Sequence, residues 1–310
     1  MKHADLAVLL RHAVPGIEAN GTRRWKLPGL SARAGVRIDA QWATFGCAMP
    51  RPAGETPVAS LLRQSALRGD VKLVWGRTRM TLRAEVPLHV ATPADRAWVA
   101  SQCREVVRGF SAACGAPDSD DDVDPGSGID TDPDVLVERC KAAGWQAVAK
   151  ADGEVRVDIE ARSVRRVVGI VREGSTLRVA VALGSGQLPQ ASADSLRAVA
   201  LFLVRASSSL RFARAWASGS AVAPSEVGFE CTMRPPAGDA PLVSAIDALG
   251  TACDLFGREA EALIESTALA RQYLNRAGGI RAVGVEPVVP RRAPAAVAAG
   301  LPVVSESVAP

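Results

Sequence analysis

Three histidines, six cysteines and a run of aspartates are the residues of this 310-residue chain whose types suit catalysis or metal binding. His3, His12 and His89 all fall in the first half, and none stands in a HExxH arrangement. A hydrolase triad needs a nucleophile with a positioned base, and no histidine follows His89. Cys47, Cys103, Cys114, Cys140, Cys231 and Cys253 include no CxxC pair and no zinc-type spacing. Most occupy apolar positions of helical or strand patterns, where a thiol behaves as a small hydrophobe. Residues 118–124, DSDDDVD, have carboxylates spaced as in a calcium loop, but the glycine at the sixth position and the closing Glu are missing. Gly184-Ser185-Gly186 lacks the third glycine of a dinucleotide fingerprint and the Lys of a phosphate loop. These absences describe a chain that is not an enzyme, with no cofactor and no metal site.

Charge is distributed unevenly. Residues 1–114 carry 17 Lys/Arg against 8 Asp/Glu, whereas residues 115–134 carry eight acidic residues and no basic one. That acidic stretch, GAPDSDDDVDPGSGIDTDPD, has almost nothing to place in a core and reads as a linker over 115–133. The basic first half admits a nucleic-acid partner as the second reading, resting on electrostatics alone, because aromatic residues are only 4% of the chain. The runs Arg23, Arg24, Lys26 and Arg162, Arg165, Arg166 read as solvated faces. Trp25, Trp42, Trp75, Trp98, Trp145 and Trp216 read as core anchors. The N-terminal apolar run is broken by Asp5 and Arg11, too early for a signal peptide or a membrane span. A soluble cytoplasmic protein that does not enter the membrane is expected.

The helices and strands that carry these residues occur in the same order twice. In 1–114 a short helix over 4–14 precedes three extended segments, around Arg24 to Leu27, Val36 to Ala40 and Phe45 to Met49, each short or alternating in polarity. A helix through Val58, Leu61 and Leu62 ends at Gly69 and Asp70. Two strands follow, through Val71, Leu73, Trp75 and through Met80, Leu82, Ala84, Val86, and Pro93 opens a third helix. In 134–275 a helix ends at Gly144, and strands follow at 145–150, 155–159, 164–171 and 177–183. A helix capped by Ser192 or Asp194 leads to strands around Leu210 and Phe212 and over 227–233. The fold class expected is α+β, with two tandem α-βββ-α-ββ-α units, each an antiparallel sheet with helices on one face.

The last helix carries apolar residues at alternating spacings of four and three from Leu242 to Leu274, about 33 residues or roughly 50 Å. That exceeds the width of a five-stranded sheet, about 24 Å. Its first half is expected on the sheet, and its second half, from Ala260, is expected to meet a partner. Leu263, Leu269 and Leu274 are the candidate partner-binding residues there. Val288, Pro290, Arg291 and Arg292 are the candidates in the Pro/Ala/Val-rich tail over 276–310.

The element order, with strand pairs such as VKLVWGRTRMTLRAEVPL, resembles the type III secretion chaperone fold shared with the YbjN-like proteins. The resemblance covers about residues 4–114 and 134–275. It implies a protein that holds an extended partner segment on its sheet surface, here with two units fused as a pseudo-dimer. A protein-binding adaptor or scaffold, with a protein partner or a second copy of itself, is the function expected.

Overall fold

Alternation of apolar and polar residues sets the strands, and two N-caps set the helices that follow them. Thr92 accepts from Asp95 N–H while Asp95 reaches back to Thr92 N–H at 2.7 Å, a complete capping box. Ser192 accepts from Ser195 N–H at 3.1 Å. The computed structural model describes residues 3–14, 16–19, 24–27, 34–39, 41–50, 56–67, 70–75, 79–88, 92–114, 132–162, 164–184, 186–220, 224–235 and 238–279. The first half runs α1 (His3–Ala13), β1 (Glu18–Ala19), β2 (Arg24–Lys26), β3 (Gly35–Ile38), β4 (Trp42–Pro50), α2 (Pro57–Ser65), β5 (Lys72–Trp75), β6 (Arg79–Pro87) and α3 (Pro93–Ala113). The second runs α4 (Pro133–Ala142), β7 (Gln146–Ala149), β8 (Val155–Ala161), β9 (Val164–Glu173), β10 (Thr176–Leu183), α5 (Ala193–Ser207), β11 (Arg214–Gly219), β12 (Pro224–Met233), α6 (Ala240–Ala252), α7 (Arg258–Glu265) and α8 (Thr267–Gly279).

Both sheets are antiparallel and have the same strand order. Sheet A is β1-β2-β3-β4-β6-β5 and sheet B is β7-β8-β9-β10-β12-β11. The register matches as well: Leu82 lies between Cys47 and Leu73, as Phe229 lies between Val181 and Ala215. The inward residues Met80, Leu82, Ala84 and Val86, and likewise Val227, Phe229, Cys231 and Met233, are buried. Each such side chain contributes on the order of 2 kcal/mol of transfer free energy. Two expectations about strands are corrected. The first half has a fourth strand before α2, the two-residue β1, too short to show a period. Leu210 and Phe212 precede β11 rather than forming it, and Phe212 sits in a left-handed turn at φ 60°.

The last helix is not one rod. Residues 240–265 form a continuous helix with a π-helical segment at Cys253–Gly257. By length and composition alone it could cross a membrane, yet Leu242, Ala245, Ile246, Leu249 and Ala252 are buried in the second half. At Ser266 the backbone turns extended, φ −120° and ψ 104°. The Ser266 hydroxyl accepts from Leu269 N–H at 3.3 Å, so the same residue ends α7 and caps α8. α8 then folds back onto α5, where Tyr273 meets Phe202 edge-on with centroids 6.0 Å apart. This overturns the expected overhang beyond the sheet, because a helical stripe keeps its spacing across a one-residue break.

The halves dock through equivalent parts. α2 packs on α5 and β11, and α5 packs in return on β5. Lys72 donates to the carbonyls of Leu210 and Ala213, and Arg214 donates to those of Leu67 and Val71 at 2.7 and 2.9 Å. These are matching positions in the two halves, so the contacts are reciprocal about a pseudo-twofold axis. Asp70 and Phe212, one on each side of that axis, both take positive φ, 56° and 60°. Gln64 accepts from Leu73 N–H at 2.7 Å and donates to the Ala215 carbonyl, while Ser65 accepts from Ala217 N–H at 2.8 Å. The edge of β11 is thereby closed by side chains of the other half.

Candidate functional site

Strand alternation gives sheet B an inner face packed under α4 to α7 and an outer face that reads, in register, as rows. One row crosses Val148, Arg156, Gly169, Ala180 and Glu230. Its neighbour holds Gln146, Asp158 and Val167, with Ala182, Gly228 and Trp216 on the strands beyond. Gly169, Ala180 and Ala182 form a low floor over β9 and β10, with the Glu154 carboxylate lying against Gly169. Val167 and Val171 on β9, two places either side of Gly169, border it at 48% and 38% exposure, and Val148 on β7, 54% exposed, lies beyond Arg156; these are three of the six large apolar residues exposed among the described residues. On the other side Arg178 lies over the buried Trp216 ring, 4.3 Å from its centroid. The resulting trough encloses about 430 Å³.

Gly228 allows this arrangement. A Cβ there would overlap the Val181 carbonyl oxygen and stand 2.9 Å from Trp216 Nε1, so only glycine lets the indole lie across β12. The Trp216 N–H has no acceptor in the structure. Arg178 is held in place by Glu230 at 2.7 Å, and Glu230 also binds Arg214 at 2.9 Å. Arg165 pairs with Asp158 and Arg156 with Glu154 at 2.8 Å, leaving the trough walls amphipathic. Sheet A has a matching floor at Gly46 and Ala48, but Phe212 and Arg211 of the second half cover Trp42 beside it.

At the pseudo-twofold axis each half buries an ion pair: Lys72 with Glu85 at 2.8 Å, and Arg214 with Glu230. Burial pushes Lys72 below its usual range, with the Glu85 carboxylate opposing that shift. Burial likewise pushes the Asp70 carboxyl well above the usual range, against the pull of Arg214, while it accepts from Thr232 N–H. A cleft of about 360 Å³ opens here between Arg178, Arg214, Arg234, Glu105, Glu230 and Thr232. Its arginines are tied by Glu105 and Glu230, so it is a polar seam between the halves.

No protein-family model, no curated protein and no solved structure matches the chain.

Of the residues singled out in the sequence, Leu263 is buried in the chain's own core at 7% exposure, Leu274 is half-buried against it, and Leu269 alone stands exposed, at 46%. The three do not form one outward stripe. Val288, Pro290, Arg291 and Arg292 lie outside the described residues, as do 115–131 of the linker, His89 and residues 280–310 of the tail. His12 is exposed. The basic run divides between faces: Arg165 is outward, while Arg166 points inward and grips Glu261 of α7 with both nitrogens, one contact at 2.7 Å. The trough residues were missed, although outward positions filled by Val167, Gly169, Val171, Ala180 and Ala182, where a solvated strand carries polar residues, were a signal for them.

Proposed function

We propose that the chain is a non-enzymatic, protein-binding scaffold that holds an extended segment of a partner protein in the trough of sheet B. The observation that carries this reading is the outer face of sheet B, with Val167 and Val171 exposed beside a floor of Gly169, Ala180 and Ala182. Exposed apolar side chains grouped on one face mark interaction surfaces. From β9 to β12 is two strand spacings, about 10 Å, which admits one extended chain with its side chains. Small apolar side chains of the partner would sit on Ala180 and Ala182. The resemblance of the element order to secretion chaperones points the same way. None of the six cysteines is in a disulfide, which suits the reducing cytoplasm.

The test is selection of displayed peptides against the full chain, followed by affinity measurement on two variants, Val167→Asp and Ala180→Arg. Both positions point outward, so thermal unfolding should stay within a few degrees of wild type while affinity falls at least tenfold. Unchanged affinity in both variants would place binding elsewhere.

A further inference from the structure

The two halves differ in one feature that protein binding does not use, a pair of thiols in sheet A. Phe45 on β4 and Phe110 on α3 pack with ring centroids 6.4 Å apart. Two residues further along the strand, about 6.6 Å, is Cys47, and one turn further along the helix, about 6.0 Å, is Cys114. The matching steps bring the two side chains to neighbouring positions, and the Cys47 thiol acts on that of Cys114. Cys47 is buried on the inner face of β4, whereas Cys114, the C-cap of α3, is exposed. The other four cysteines are all buried.

We propose that Cys47 and Cys114 form an oxidisable dithiol, with Cys114 as the attacking thiol, buried Cys47 as the resolving thiol, and a peroxide as the oxidant. The Cys114 thiolate attacks one peroxide oxygen, the O–O bond breaks, and the departing hydroxide takes up the thiol proton as water. Cys114 is left as a sulfenic acid. The Cys47 sulfur then attacks the Cys114 sulfur, the S–O bond breaks, and hydroxide leaves with the Cys47 proton as a second water. Two thiols and one peroxide give one disulfide and two waters; the sulfurs lose two electrons and the peroxide oxygens gain them. The bond joins β4 to the last residue of α3, immediately before the acidic stretch. Burial, with Cys47 adding to it, pushes the Cys114 thiol up to about 11, so the attack is slow at neutral pH and is followed over hours.

The test treats the reduced full chain with hydrogen peroxide at pH 8 and maps its peptides by mass spectrometry without reduction. The expected result is the loss of two hydrogen atoms from the intact mass, a linked peptide containing Cys47 and Cys114, and reversal by dithiothreitol. Cys114→Ser should abolish the link. Cys47→Ala should leave Cys114 as a sulfenic acid that dimedone traps; if that variant fails to fold, Cys114→Ser and the wild type still decide the matter. Sulfinic Cys114 without a linked peptide, a bridge between other cysteines or between chains, or no loss of thiols over those hours would each overturn the proposal.

Discussion

At the scale of single residues, the junction depends on charges that have no water to fall back on. Lys72 and Glu85 are each about 1% exposed and 2.8 Å apart. Glu85 is shared with Arg83, whereas removing Glu85 leaves Lys72 buried without its carboxylate, which costs about 3–5 kcal/mol, and replacing both by apolar residues is often close to neutral. Glu85→Leu should therefore lower urea stability by about that amount, and Glu85→Leu with Lys72→Met should recover most of it. A single variant as stable as wild type would show that the pair is not buried in solution. Asp70 makes a second prediction. A carboxyl raised by burial favours folding fully below its unfolded value, about 4, and that contribution disappears as pH climbs through the folded value. Asp70→Asn removes the titration, keeps an acceptor for Thr232 N–H and tolerates the left-handed backbone. Its denaturation midpoint should exceed that of wild type at pH 8 and equal it at pH 3; equal displacement at both values would contradict the assignment.

At the scale of elements, what could be read in advance was whatever local pattern dictates. Met80 to Val86 and Val227 to Met233 alternate strictly, so their strands and inward faces were legible, as were the starts of α3 and α5 at Thr92-Pro93 and Ser192. The break at Ser266 was hidden because Leu263, Ala270 and Leu274 keep helical spacing across it; the local clue was a serine three residues before Leu269 N–H. Phe212 was placed in a strand by its hydrophobicity, yet it sits in a left-handed turn, as Asp70 does at the matching position, and its ring meets Trp42 of the other half, 6.4 Å away between centroids. The trough rests on one pairing of elements, β12 beneath the Trp216 indole of β11. Gly228→Ala forces the Val181 carbonyl or the indole aside, an overpacking cost of about 3 kcal/mol. Urea denaturation should show that loss, and a cost under about 1 kcal/mol would mean the indole does not lie across Gly228.

At the scale of the whole molecule, the repeated order of elements was visible in the sequence, but the reciprocity was not. Lys72 and Arg214 reach backbone carbonyls more than a hundred residues away, and no local pattern encodes which turn each will meet. The same docking explains why the two sheets, alike in strand order, offer different surfaces. The second half lays Phe212 and Arg211 against Trp42 of sheet A, while on sheet B Ala180 and Ala182 are half-buried and Val167 and Val171 beside them are exposed. The partner segment proposed for this one face is tested most directly by amide hydrogen exchange of the full chain, with and without a peptide selected for binding. Added protection is predicted over 155–183, the strands β8, β9 and β10, with little change in β2 to β6 or α8. Protection centred on α8, on sheet A or on the seam between the halves would contradict it.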